Sequence, residues 1–266
     1  MREHDGVTFR EFASLSAAAY ASRRIVGRFR REEGAPSGPG YRSYLWHEKA
    51  SGRRVLCIRG TADPFDMLQD LRLLFGYEPR AWRKSREWVA RQADQAGDLF
   101  VTGHSLGGAF ASALGAEFQL PTVTFNAPGM LEALRRSGPV EPAWVRADQA
   151  NILNFCVAED WIWRLSGPGL GRVRTFRLTG SSTLNDVRGP VGAARALYRG
   201  RRLQRGWIPA IRSALSRHAM DVFRPLIARG EFDRDEAMTV PSEDLSSRLP
   251  ISREAIPVVA SIGSSL

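Results

Sequence analysis

FVTGHSLGGAF, residues 100–110, sets a Ser among glycines at the point where an apolar, β-branched run gives way to a run of small residues. A sharp strand-to-helix turn would hold that Ser in a strained backbone conformation and aim its Oγ clear of a sheet. It also demands neighbours without bulky side chains. Gly103, Gly107 and Gly108 meet the demand, and Gly103, His104, Ser105, Leu106 and Gly107 match G-x-S-x-G, the nucleophile elbow. The helix that starts there would present the Leu106 N–H and the positive end of its dipole to a developing oxyanion. A phosphate-binding loop would need Lys followed by Ser or Thr after the glycines, and AFASALG supplies neither.

Outward from the elbow, short apolar runs alternate with helical patterns. DLFVTGH, PTVTFNAP and NILNFCVAE read as strands, with helices over 106–118 and near 129–137 between them. Such alternation implies crossover connections and a mostly parallel sheet flanked by helices, an α/β-hydrolase architecture once the elbow is included. Upstream, YRSYLWHE and RRVLCIRGT read as a hairpin. Residues 7–30 have the spacing of one amphipathic helix, with Phe12, Leu15, Ala18, Ala19 and Ile25 on its apolar side, before GAPSGPG breaks the pattern. Further helices are expected over 64–75 and 79–96. The first would be core packing or a cover for an acyl site. RVRTFRLTG is a further strand, followed by a helix over 208–229. One domain over 1–230, with an Arg-rich insertion at 186–217, is expected to end in a polar tail, 231–266, that is partly disordered.

A nucleophilic Ser needs a base, and the base needs an acid to orient it. In α/β-hydrolases the chain order is Ser, acid, His. The chain has four His, and only His218 follows the elbow; His4 is terminal, His47 sits at a hairpin, and His104 lies in the turn itself as a packing or hydrogen-bonding residue. For the acid, Glu159 and Asp160 end the strand NILNFCVAED at a carboxyl edge, and Asp160 is favoured. Asp148, Asp186 and Asp221 are weaker candidates. A second oxyanion donor should come from the loop after an earlier strand, and RVLCIRGT ends in Gly60 and Thr61 at that edge.

Composition narrows the partners. The formal charge is +10 and is carried almost entirely by Arg. Between Asp186 and Asp221 the chain has no acidic residue, yet it holds Arg188, Arg195, Arg199, Arg201, Arg202, Arg205, Arg212 and Arg217 mixed with Leu197, Tyr198, Trp207, Ile208 and Ile211. That mixture suits the surface of an anionic membrane or a solvated insertion; nucleic acid is the weakest of the three. Cys57 and Cys156, the two cysteines, sit in apolar runs and read as buried free thiols. No signal peptide and no transmembrane segment is read from the sequence, so a cytoplasmic protein, or one exported without a cleaved signal, is expected.

Taken in order, VLCIRGT, VTGHSLGGAFA, TFNAPG, AEDWIWRL and SRHAMDVF resemble the class 3 lipases, an α/β-hydrolase family, and more closely its bacterial branch. The resemblance spans roughly residues 41–225. It implies a catalytic triad of Ser105, Asp160 and His218, and an oxyanion hole of Thr61 and Leu106. The family's acid segment, Asp-x-Val-Pro-x-Leu, carries a Pro that this chain lacks, and Trp161 and Trp163 are further departures, which keeps Glu159 in contention. The implied activity is hydrolysis of acyl lipid esters, phospholipid or acylglycerol, with no metal or organic cofactor. A lipase-like binding scaffold, or an acyltransferase or thioesterase on the same triad, are the alternatives.

Overall fold

The computed structural model describes residues 3–4, 6–21, 23–38, 41–60, 80–93, 99–136, 145, 147–160, 162–164, 167–176, 219–230, 232 and 238–240. The expected helix 64–75, the Arg-rich stretch 186–217, and the sequence-assigned Thr61, Asp186 and His218 lie outside them.

Glu3–His4 (β1) and Val7–Thr8 (β2) form a small antiparallel pair ahead of helix α1, Phe9–Ala18. Thr8 and Glu11 close a capping box: the Glu11 N–H donates to Thr8 Oγ1 at 3.2 Å and the Thr8 N–H donates to Glu11 Oε2 at 3.0 Å. The helix buries Phe9, Phe12 and Leu15. It does not run on to residue 30 as its periodicity predicts. Instead Ile25–Val26 (β3) and Phe29–Glu32 (β4) pair antiparallel through a two-residue turn with Gly27 at φ +55°. A turn of this kind fits a hairpin, and β4 gains ladder bonds on β6 that an isolated helical extension could not make.

Ser37–Gly38 (β5), Tyr41–His47 (β6) and Arg54–Arg59 (β7) follow, then helix α2, Arg80–Ala93, and strand β8, Leu99–His104. Helix α3, Leu106–Phe118, leads to β9, Thr122–Phe125; helix α4, Leu131–Arg136, leads to β10, Ile152–Val157. Arg172–Phe176 forms β11, helix α5 covers Phe223–Ala228, and Met238–Val240 in the C-terminal tail forms β12. Among the described residues ten strands join one sheet, ordered β12-β11-β10-β9-β8-β7-β6-β4-β3 with β5 beside β6. From β7 through β11 every neighbour is parallel, and the antiparallel strands sit at the two flanks. This is the mostly parallel, helix-flanked sheet that the strand–helix alternation predicts.

Alternating residues of the central strands feed two apolar layers. Leu56 and Ile58 of β7 and Val101 of β8 pack with Leu114 of α3 on one face, whereas Val55, Cys57 and Phe100 pack with Phe12 of α1 and Phe223 of α5 on the other. Both cysteines are free and buried, and burial pushes the Cys57 thiol up to about 12. The described part of the expected helix 208–229 is not one continuous α-helix: a 3-10 turn at Met220–Val222 precedes α5.

Candidate active site

Ser105 stands between the buried strand β8 and α3, at φ 58° and ψ −134°. A non-glycine residue there carries a strain of about 1–3 kcal/mol, which only a surrounding frame can hold. The frame is visible. The Ser105 N–H donates to the Phe125 carbonyl at the end of β9 (3.0 Å), and the Ser105 carbonyl accepts from the Ala109 N–H (3.1 Å). The Ser105 side chain does not cap the helix. Leu106 opens α3, so its N–H is one of the first-turn donors that no carbonyl of the same helix can satisfy.

The glycines do what close approach requires. A Cβ at Gly107 would run into the backbone of Ile58, Arg59 and Gly60, so only glycine lets α3 start against the end of β7. A Cβ at Gly60 would lie 2.5 Å from the His104 carbonyl oxygen and 2.9 Å from the Ser105 Cβ. The end of β7 therefore touches the elbow, and Thr61 is the next residue in the chain.

Tyr20, just beyond α1, ties these two strand ends together. Its hydroxyl accepts from the Gly60 N–H at 3.0 Å and lies 2.8 Å from His104 Nδ1, while the Tyr20 and His104 rings meet edge to face at 5.6 Å. Burial pushes the phenol well above its ordinary range, so it stays protonated. His104 is thus a hydrogen-bonded member of the frame.

Asp160 is fully buried just past β10, on the same rim as Ser105 with β9 between them. Three bonds converge on Val157 to shape its turn. The Val157 N–H donates to Asn126 Oδ1 at 2.8 Å, and its carbonyl accepts from the Asp160 N–H at 3.1 Å and the Trp163 indole N–H at 3.0 Å. Trp163 is buried against Cys156 and Val173, under the Arg164 guanidinium. Asn126, at φ 46°, and Asn154, which bonds both the N–H and the carbonyl of Ala127, lock the end of β9 to β10.

Other candidates separate from this rim. Asp148 is exposed ahead of β10, at the opposite end of the sheet from Ser105; Asp221 is exposed and paired with Arg224 at 3.0 Å. His47 bonds Glu32 at 2.7 Å beside Arg54, again at the far end. Glu159 is half-buried next to Asp160. Among the described residues no cluster of three or more His, Cys, Asp or Glu side chains is placed to hold a metal ion, and no helix is long and apolar enough to cross a membrane. Sequence reading missed Tyr20, Asn126, Asn154 and Trp163 as builders of the site. Asn126 lies within TFNAPG, and a polar residue just past a strand's end, two positions before Pro128, was the available signal.

A Ser on a strained turn between a central parallel strand and a helix, with a buried carboxylate on the same rim after a later strand, defines an α/β-hydrolase. The phospholipase-like family with a Tle-like phospholipase domain matches residues 28–183, more than half of the chain. The chain belongs to that family. Among curated proteins, it is 47% identical over 66 residues to a Candida albicans protein carrying the name lipase ATG15, and 62% identical over 39 residues to its namesake in Lodderomyces elongisporus. Those stretches cover 25% and 15% of this chain, but only 11% and 7% of the relatives. Among solved structures it is similar to the Lip2 lipase of Yarrowia lipolytica (14% identity, TM-score 0.42, covering 63% of this chain and 77% of that one). It is also similar to a Rhizomucor miehei lipase propeptide complex (16%, 0.45, 63% and 65%).

Proposed function

We propose that this chain is a serine esterase acting on acyl lipids, with phospholipids ahead of neutral glycerides. Ser105 Oγ attacks the ester carbonyl carbon while its proton passes to His218. Asp160 orients the imidazole and stabilises the imidazolium. The N–H groups of Thr61 and Leu106 receive the oxyanion; the alcohol then leaves with the proton from His218, and water repeats the sequence in reverse to free the acid. The observation that carries this reading is the strained Ser105 backbone, held between β8 and α3 with its side chain uncommitted to the helix cap. Family membership supports the lipid as substrate. The Arg-rich 186–217 stretch, each cation contributing about 1 kcal/mol near anionic headgroups, is the part of the proposal that supplies peripheral membrane contact. Placement in the bacterial branch of the class 3 lipases rests on the order of the motifs alone.

The test is a fluorophosphonate probe together with a lipid hydrolysis panel, run on the native chain and on Ser105→Ala. Labelling and turnover that both vanish in the variant are expected. A native chain that folds yet neither labels nor hydrolyses any acyl lipid would overturn the reading. Product analysis with alcohol or thioester co-substrates separates hydrolysis from acyl transfer.

A further inference from the structure

Two arginines at the rim differ from the arginines that are paired with carboxylates. Arg28 sits between Glu11 (2.8 Å) and Glu48 (3.1 Å), Arg86 pairs with Glu117, Arg135 with Glu132 (3.2 Å) and Arg224 with Asp221 (3.0 Å). Arg42 and Arg59 are instead cross-strand partners, directly opposite in the β6–β7 register, so both side chains leave the same face of the sheet. Among the described residues neither meets a carboxylate. Like charges directly opposite destabilise a sheet.

Their position is beside the nucleophile. Arg59 is the last residue of β7, and Gly60 after it approaches the elbow so closely that a Cβ there would lie 2.9 Å from the Ser105 Cβ. The Arg59 guanidinium carbon stands 5.1 Å from the Tyr20 ring centroid, and the Tyr20 hydroxyl bonds both Gly60 and His104 of the elbow. One cation is thereby held against the frame that carries Ser105. The other, Arg42, is exposed one strand further out. A guanidinium is a planar fork that takes two oxygens of a phosphate at once, and a phosphate diester offers two non-bridging oxygens to share between two forks.

We infer that Arg42 and Arg59 form an anion subsite at the rim of the active site that holds the phosphate diester of a phospholipid headgroup while the acyl ester reaches Ser105. The inference rests on the serine-esterase reading of Ser105. It adds a reason for choosing phospholipid over neutral glyceride, since a glyceride with the same acyl chains offers this pair nothing to bind. The placing of like charges opposite each other, with no carboxylate partner among the described residues, is then a cost carried for binding.

The experiment compares kcat/KM for dioctanoylphosphatidylglycerol and dioctanoylglycerol, both as monomers, across variants of the full chain. Arg42→Ala and Arg59→Ala should each lower the phospholipid-to-glyceride ratio about tenfold or more, mainly through KM, as expected for a lost charge-assisted bond. Arg30→Ala removes the same charge at the opposite end of the sheet and should leave the ratio within about twofold. Arg42→Glu separates binding from architecture: it turns the like-charge contact into an opposite-charge one, so thermal stability should rise while phospholipid preference falls furthest. Circular dichroism guards against misfolding of Arg59→Ala, and the exposed position 42 keeps the test intact should that variant unfold.

A ratio that stays put in both position-42 variants, or falls equally in Arg30→Ala, overturns the subsite. A second arm does not need turnover. Calorimetric titration of the Ser105→Ala chain with the same phospholipid should show affinity that drops about tenfold when Arg42→Ala is added. If that drop appears in a protein whose native form hydrolyses nothing, the esterase reading fails and the anion subsite stands; if affinity is unchanged, the subsite fails whatever the activity. Inorganic phosphate titrated into the same sample tells the headgroup from the free ion, and equal affinities for the two would overturn the headgroup assignment.

Discussion

Ser105 and Asn126 end neighbouring strands, β8 and β9, and both are non-glycine residues at positive φ, 58° and 46°. Their side chains have opposite assignments. Asn126 Oδ1 accepts the Val157 N–H and so fastens β9 to the turn that carries Asp160. The Ser105 backbone is held by Phe125 and Ala109, and its hydroxyl does not cap α3. Two similar strains on one rim thus go with different side-chain assignments: one side chain is spent on the frame, and the other is the proposed nucleophile.

Glycine substitutions should break the symmetry most sharply. At position 105 glycine removes the hydroxyl and relieves the strain, so turnover should fall by about 10⁴-fold or more while stability rises by about 1 kcal/mol. A fluorogenic ester assay and thermal melting, run side by side, check both signs. At Asn126, glycine relieves a strain that Asn already tolerates well but leaves the Val157 N–H buried without its acceptor, so Asn126→Gly should destabilise, by about 1–3 kcal/mol in chemical denaturation. Matching signs at the two positions would defeat the contrast.

A smaller effect is expected from Trp163→Phe, which keeps an aromatic ring but removes the indole bond to Val157. Stability should drop by about 1 kcal/mol, and kcat should fall more than KM rises, because the loosened turn is the one that holds Asp160. Steady-state kinetics beside denaturation separate the two.

The smallest effect belongs to the far end of the molecule. Burial alone would raise the Glu11 carboxyl, but its bonds to Arg28 and Thr8 outweigh it and hold the carboxyl below the usual range. A depressed folded-state value means stability that is present at neutral pH and lost as pH falls through that value. Glu11→Gln should therefore flatten the acid side of a melting-temperature profile while leaving esterase activity at neutral pH within about twofold, as expected for a half-exposed ion pair.

Legibility followed the range of the interactions. GHSLGG announced its turn because the demands of a sharp strand-to-helix corner are local: small residues on either side of one hydroxyl. The central strands were legible because residues buried on both faces read as continuous apolar runs. The first helix was overextended because Ile25 and Val26 keep helical spacing with Leu15 and Ala18, and only an edge of β6 waiting to be paired decides that they form a hairpin. Asp148 and Asp160 were both acids near β10 on paper; folding puts them at opposite ends of the sheet. Tyr20 escaped notice because its partners lie 40 and 84 residues away.

By itself, then, the sequence determined the alternation of strand and helix, the corner at Ser105, and the chain order of the residues proposed for catalysis, since each depends on spacing or on the steric demands of a few neighbours. Tertiary structure decided which side chains brace that corner, which acid shares its rim, and which two arginines face each other beside it. Strand register and helix docking bring together groups remote in the chain, and no local pattern encodes that distance.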